Sequence, residues 1–214
     1  DLVTKFTATL AAKYNTPNQA GIIETPTGKQ ASIPNAILGR QVGSSAECNQ
    51  LISEIKAGKT VSRAPIFSQN ATPAGQLMWG SKYVEVDLTE QHMWFVQVEA
   101  DGTKTVLFET DVITGKQSTP TPTGTFTVLK KMQNKVLRGN IMPNGKPEYL
   151  QPVKYWVRIT WSGVGFHDAT WQPAFGGQLY HQGYGSHGCI NMPLDAVQTF
   201  YGMIYVGCPV VIHH

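Results

Sequence analysis

Two histidines and a cysteine fall within nine positions in Tyr180-His181-Gln182-Gly183-Tyr184-Gly185-Ser186-His187-Gly188-Cys189-Ile190-Asn191. The core of this stretch is Ser186-His187-Gly188-Cys189. A thiol is a weak nucleophile until it loses its proton, and a free cysteine titrates near ~8.5. An imidazole beside it can take that proton or stabilise the thiolate. If the run is extended, residues two apart share a face, so His187 and Cys189 are expected to meet across Gly188. A glycine at 188 leaves room for a carbonyl to approach the backbone, where the N–H groups of Gly188 and Cys189 can stabilise an oxyanion. The expectation from the residues is a cysteine nucleophile, Cys189, with His187 as its general base.

The stretch has two companions upstream. Phe166-His167-Asp168 places a third histidine some twenty residues before the thiol. Thr121-Pro122-Thr123-Gly124-Thr125-Phe126 lies earlier still. Together, in this order, they resemble the signature of the L,D-transpeptidases, the YkuD-like cysteine enzymes that cross-link peptidoglycan. The resemblance runs from about Tyr83 to His214. It implies a β-sandwich catalytic domain built on a mixed sheet. It implies that Cys189 attacks the carbonyl of the diamino acid at position three of a tetrapeptide stem, that D-alanine leaves, and that an acceptor amine takes the acyl group to close a 3-3-type cross-link. It implies acylation by β-lactams of the carbapenem type, no cofactor and no metal.

The site residues then take these expected roles. Cys189 is the nucleophile and His187 the base. Asp168 orients the base, through its carboxylate or its main-chain carbonyl, and the null alternative for its side chain is an ordinary turn residue. His167 binds substrate, polarises the thiol or shapes the pocket. Gly188 and Cys189 supply the oxyanion hole, and Ser186 fixes the backbone or hydrogen-bonds to the second histidine. Asn191 contacts the stem peptide or caps the helix that follows. Trp171 walls the cleft or belongs to the core. A hydrolytic rival passes the same acyl group to water, as an L,D-carboxypeptidase or cysteine peptidase. A second rival gathers His167, Asp168, His181, His187 and Cys189 around zinc, although no HExxH pair is present.

Composition agrees with a loop-rich β protein. Of 214 residues only 14% are charged, while glycine and proline number 21 and 13. No eighteen-residue apolar run occurs. The net charge of +3 is uneven. Residues 1–82 carry eight basic and four acidic side chains, and residues 83–214 carry nine and ten. No basic cluster interleaved with aromatics points to nucleic acid. The chain starts without a methionine or a secretory signal, so it reads as an excised or processed form, extracytoplasmic, at the cell wall or the outer membrane face, with any anchor outside it. A monomer is expected. Cys48, Cys189 and Cys208 form no CxxC pair.

Two domains are expected, a small α+β module over 1–82 and a mainly β catalytic domain over 83–214. Asp1 opens a helix reaching Asn15, with Leu2, Val3, Phe6, Leu10 and Tyr14 near one face. Thr16-Pro17-Asn18 makes a turn, and short strands follow at Ala20–Thr25 and Gln30–Ile33. A helix from Ser45 to Ala57 starts at a Ser44…Glu47 capping box and buries Cys48, Leu51, Ile52 and Ile55. The segment Ser68–Gly80 reads as a linker. Alternating strands then run over Tyr83–Leu88, His92–Val98, Lys104–Ile113, Thr125–Lys130 and Lys154–Trp161. Met132 to Pro152 has few regular signals and is expected to form a lid or a wall of the cleft. A short helix begins at Pro193, and Pro209–Ile212 is the last strand.

Overall fold

A computed structural model describes residues 2–15, 19–36, 41–69 and 81–214. The expected Asp1 cap, the turn at Thr16-Pro17-Asn18 and most of the Ser68–Gly80 linker lie outside the described residues. The catalytic part is mainly β, with two sheets packed face to face.

The first sheet has five strands in the order β7-β6-β5-β13-β8: β5 (Lys82–Asp87), β6 (His92–Val98), β7 (Lys104–Asp111), β8 (Gly124–Thr127) and β13 (Pro209–His213). The second has four, in the order β12-β11-β10-β9: β9 (Lys130–Arg138), β10 (Leu150–Arg158), β11 (Gly165–Asp168) and β12 (Ile190–Met192). Both sheets are mixed, because β13 runs parallel to β5 and β11 runs parallel to β12. Period-two burial fixes which side chains enter the core between them. Val84, Val86, Phe95, Val157, Phe166, Ile190, Met192, Val210 and Ile212 are all buried there. Helix α3 (Leu194–Met203) closes one end with Val197 and Phe200.

The segment Met132–Pro152, expected as a lid or a wall of the cleft, is regular in structure. It is a long antiparallel hairpin, with Arg138 paired to Leu150 and Lys130 to Arg158. Much of it stands away from the core and carries polar side chains on both faces, so the sequence lacks a clean alternation there. Its outer end forms one wall of the cleft.

The N-terminal residues divide into two packing groups. Helix α1 (Leu2–Tyr14) packs on helix α2 (Ser44–Lys56), beside the short strands β3 (Gln41–Val42) and β4 (Phe67–Gln69). The apolar stripe expected of α1 is largely exposed, with Leu2 at 83% and Phe6 at 52%, whereas Thr7 is buried. Nor does Glu47 serve a capping box. Gly43 caps α2, and the Glu47 carboxylate accepts from Arg63 at 2.9 Å and from the Ile66 N–H at 2.8 Å. Arg63 also bonds Glu54, so a two-carboxylate clamp on one guanidinium ties the extended segment after α2 back to the helix. Ile55 is exposed.

The hairpin of β1 (Gln19–Glu24) and β2 (Gln30–Ala36) behaves differently. It lies on the outer face of the five-stranded sheet, where Ile23, Ala31 and Ile33 form one buried cluster with Tyr83, Trp94, Val96, Val98 and Val211. Beneath it Glu85, Asp87 and His213 are fully buried, and His213 Nε2 is 3.0 Å from Glu85 Oε1. Lys29, at the hairpin turn, donates to Asp87 Oδ2 at 2.7 Å.

Burial alone would raise the Asp87 pKa. The Lys29 ammonium and the N–H groups of Glu90 and Thr89 outweigh that and hold it below its ordinary value. A depressed carboxylate contributes stability above its unfolded pKa, about 3.9, and the contribution disappears as pH falls through the lower folded value. Lys29→Met is therefore expected to cost about 2 kcal/mol at pH 7, less than a fully buried pair because Lys29 is partly exposed. Urea melts should find the gap between parent and variant closing as pH falls below the ordinary carboxylate range. A gap that does not change with pH would show that the hairpin is held by apolar contact alone.

Candidate active site

The site is assembled by one parallel strand pair. His167 on β11 pairs with Asn191 on β12, and Trp156 on β10 pairs with His167 from the other side. Directly paired residues share a face. Alternation places Phe166, Ile190 and Met192 on the opposite face, in the core. Trp156, His167 and Asn191 thus form a row, and Cys189, two residues before Asn191, opens on the same side. His167, Asn191 and Cys189 line a pocket of about 340 Å³, with Tyr149, Trp171 and His187 at its walls and mouth.

His167 is buried between two indoles, its ring 5.8 Å from Trp156 and 6.0 Å from Trp171. Its Nδ1–H donates to the main-chain carbonyl of Asp168 at 2.9 Å. This bond settles how Asp168 meets the imidazole. The carbonyl holds it, while the Asp168 carboxylate accepts the Tyr155 N–H at 2.8 Å and braces β10 against β11. With Nδ1 committed, Nε2 is the proton acceptor. Burial lowers the His167 pKa, and the Asp168 carbonyl and charge only partly oppose it.

His187 stands elsewhere. The stretch Ser186–Cys189 is not extended. Gly188 has φ of +109°, in a region that favours glycine. The Gly188 N–H donates to Ser186 Oγ at 3.0 Å, and that hydroxyl donates to the Cys189 carbonyl at 2.6 Å. The turn breaks the alternation that would have put His187 and Cys189 on one face. The His187 ring instead stacks near Tyr149 at 5.2 Å, with Nε2 3.3 Å from Lys116 Nζ and 3.6 Å from Glu148 Oε1. The neighbours of Nε2 are thus an ammonium and a carboxylate, and no hydrogen bond between His187 and Cys189 is seen among the described residues. The expected pairing of His187 with Cys189 is thereby replaced by a position for His187 on the rim.

The same turn revises the oxyanion hole. The Gly188 N–H is spent on Ser186, and among the described residues the Cys189 N–H has no partner. Thr121, from the Thr-Pro-Thr-Gly stretch, donates its hydroxyl to the Gly188 carbonyl at 2.9 Å and accepts the Gly115 N–H at 2.9 Å. That upstream stretch is a clamp on the turn.

The Cys189 thiol is half-buried and donates to the Gly163 carbonyl at 3.6 Å. Burial pushes its pKa up to about 11, opposed by a backbone bond from Gly165. Trp171 is 46% exposed and leans over His167 at the mouth. Asn191 is buried, its Oδ1 without a partner. His181 is exposed and lies against Tyr180. The five side chains of the zinc alternative are turned to different partners, and no three potential ligands converge among the described residues. Sequence reasoning missed Lys116, Glu148, Tyr149 and Trp156. Only tertiary pairing brings them to the site, and none carries a local motif.

A half-buried thiol and a carbonyl-anchored imidazole that line one pocket are suited to acyl transfer through a thioester. Residues 81–212 match the YkuD family, the L,D-transpeptidase catalytic domain, and the chain belongs to that family. It is similar to Enterococcus faecium L,D-transpeptidase, solved as a cysteine-to-serine mutant, at 37% identity and a TM-score of 0.78 over 98% of this chain and 80% of that one. It is similar also to the catalytic domain of the E. faecium enzyme acylated by ertapenem, at 45% identity and a TM-score of 0.51, covering 62% of this chain and 96% of that one. L,D-transpeptidase 1 of Mycobacterium tuberculosis is 38% identical over 101 residues, which is 45% of this chain and 38% of the relative. The match thus spans less than half the length of the curated relatives.

The raised Cys189 pKa has a direct consequence. The free protein holds a protonated thiol at neutral pH, because a pKa above the ambient pH keeps the proton on. Alkylation of Cys189 by iodoacetamide, read by peptide mass, is expected to keep accelerating beyond pH 9. A plateau near pH 7 would instead show a preformed thiolate–imidazolium pair.

Proposed function

We propose that the chain is a peptidoglycan L,D-transpeptidase with Cys189 as nucleophile and His167, not His187, as general base. The observation that carries this reading is the hydrogen bond from His167 Nδ1 to the Asp168 carbonyl, which leaves Nε2 as an acceptor in the pocket that Cys189 lines. As substrate enters, His167 Nε2 takes the thiol proton while Cys189 Sγ attacks the carbonyl of the diamino acid at stem position three. The oxyanion forms against the Cys189 N–H. Collapse expels D-alanine, whose nitrogen takes the proton back from His167, and a thioester remains. An acceptor amine then attacks the thioester and gives a proton to His167. The thiolate leaves and is reprotonated.

Transfer to an amine requires that water be kept from the thioester. Trp156 and Trp171 flank the His167 ring and Tyr149 lines the pocket, which supplies apolar surface of that kind. Asn191, with a buried amide oxygen lacking a partner, is placed to accept an N–H of the stem. Ser186 acts on the backbone turn. The same thiol accounts for inhibition by β-lactams of the carbapenem type. The substrate places the enzyme outside the cytoplasm, at the cell wall. No helix among the described residues is long and apolar enough to cross a membrane.

For the N-terminal residues we propose an accessory α+β module built on α1 and α2. Its expected boundary at residue 82 is shifted in one respect. The hairpin 19–36 shares a buried cluster with the catalytic sheet and is best counted with it.

Intact mass after incubation with a tetrapeptide donor or a carbapenem tests the chemistry, with Cys189→Ala as the control that should form no adduct. His167→Ala is expected to slow acylation by about 10²–10⁴-fold, and His187→Ala by less than about tenfold. The opposite order would return the base to His187. Adding an acceptor amine should divert product from hydrolysis to a cross-linked dimer, and release to water alone would make the enzyme a carboxypeptidase.

A further inference from the structure

On the outer side of the His187 rim lies a second cavity, of about 420 Å³. Lys116, Gln117, Ser118, Tyr180, His181 and Gly183 line it. These side chains offer an ammonium, an amide, two hydroxyls and an imidazole, and no carboxylate is among them. Gly183 borders this cavity and the nucleophile's pocket alike, so the two adjoin. Lys116 takes part in none of the ion pairs among the described residues. Its ammonium lies 3.3 Å from His187 Nε2, and the Glu148 carboxylate stands 3.6 Å from that same nitrogen.

The loop that carries Lys116 is fastened to the nucleophile motif. The Lys116 N–H donates to the Ser186 carbonyl at 3.0 Å, the Ser186 N–H to the Thr114 carbonyl at 2.9 Å, and the Thr119 hydroxyl to the Ser186 carbonyl at 3.0 Å. Backbone touches backbone here, since a Cβ on Gly185 would come within 2.7 Å of the Lys116 Cα. Three bonds and a close approach fix the backbone of Lys116 relative to the Cys189 motif. Ser186 is three residues from the thiol, a separation of at most about 10 Å. The terminal carboxylate of a peptide cleaved one residue from its end lies within that range of the reacting carbonyl.

We propose that this cavity is a carboxylate-binding subsite, with Lys116 as its cation, and that its ligand is the free carboxylate of a stem peptide. The proposal rests on Cys189 being the nucleophile of stem-peptide acyl transfer. A compact ammonium in a polar hollow lined by neutral donors matches a carboxylate in charge and in hydrogen bonding. It is also the wrong environment for an ammonium, so the cavity discriminates by sign. The carboxylate comes from the end of the donor stem or from the acceptor, and the two are separable.

The test uses Cys189→Ala, which binds without turnover, with Lys116 intact or changed to Met or Arg. Affinity is measured by calorimetry for a tetrapeptide stem with a free C-terminus and for its C-terminal amide. With Lys116 the free acid should bind about tenfold more tightly than the amide, the size expected of a hydrogen bond to a charged group, and added salt should shrink the ratio. Lys116→Met should bring the ratio close to one, and Lys116→Arg should keep most of it. The same four measurements are repeated with an amine acceptor bearing a free or amidated carboxylate. A ratio that collapses for the tetrapeptide assigns the subsite to the donor, and one that collapses only for the acceptor assigns it to the acceptor. Ratios unchanged by Lys116→Met in both series overturn the proposal. A Cys189-intact protein that forms no acyl adduct would defeat the transpeptidase reading, a separate result that the binding ratios do not touch.

Discussion

The active site depends on the parallel pairing of Phe166-His167-Asp168 with Ile190-Asn191-Met192. Two segments more than twenty residues apart become neighbours at hydrogen-bond spacing, and the pleat then sorts them. Phe166, Ile190 and Met192 go into the core, where they are fully buried. His167 and Asn191 are left on the other face. The burial that anchors the strands and the exposure of the chemistry are therefore one decision about register. A slip of one residue on β11 would put an imidazole in the core and a phenylalanine in the pocket, and a slip on β12 would bury the Asn191 amide and turn Ile190 or Met192 outward. The Asp168 side chain adds a lock by accepting the Tyr155 N–H, which fixes β10 as the third member of the row.

A second set of buried polar groups lies on the far sheet, under the N-terminal hairpin. Glu85, Asp87 and His213 are fully inaccessible, and without the hairpin's Lys29 the Asp87 carboxylate would lose its cation. Polar groups at such a position are expensive unless satisfied, and they penalise alternative packings. An apolar surface of the same shape would accept the hairpin in several registers. The arrangement of Lys29 over Asp87, with Ile23 and Ile33 alongside, accepts far fewer. This is a physical reason to treat residues 19–36 as a structural part of the sheet they cover, while α1 and α2 form a body of their own around the Arg63 clamp.

What could be read from the chain alone follows from where each signal resides. The thiol, the upstream histidine and the mainly β character are local in sequence, carried by Ser186–Asn191, by Phe166–Asp168 and by alternating strands such as Tyr83–Leu88. The position of His187 relative to the thiol was not legible, because it turns on one backbone angle. Gly188 was visible as a glycine, but whether it opened space or reversed the chain is set by the Ser186 hydroxyl and the Thr121 clamp, and Thr121 is 67 residues from Gly188. The hairpin of β9 and β10 was hidden for another reason. Its strands carry polar residues on both faces, so the pattern that reports a half-buried strand is absent although the hydrogen bonding is regular. The stripe on α1 misled in the opposite direction, since amphipathic spacing shows that a face exists and not that anything covers it.

The protonation of the catalytic pair is shaped by the same enclosure. Burial raises the Cys189 pKa and lowers that of His167, so each group is pushed toward its neutral form. A thiolate–imidazolium pair would place two charges in a pocket walled by aromatic rings, and before substrate arrives only the Cys189 N–H, the Asp168 carbonyl and a few neighbouring dipoles face them. During attack the balance changes. On the proposed mechanism the negative charge moves from sulfur to the carbonyl oxygen, toward the Cys189 N–H, while the imidazolium keeps the Asp168 carbonyl on Nδ1. Proton transfer is favourable when a carbonyl is present to accept the charge and unfavourable when it is not. A thiol so held is spared the oxidation to which an exposed thiolate is prone. A neutral resting pair is the state that this pocket's burial selects.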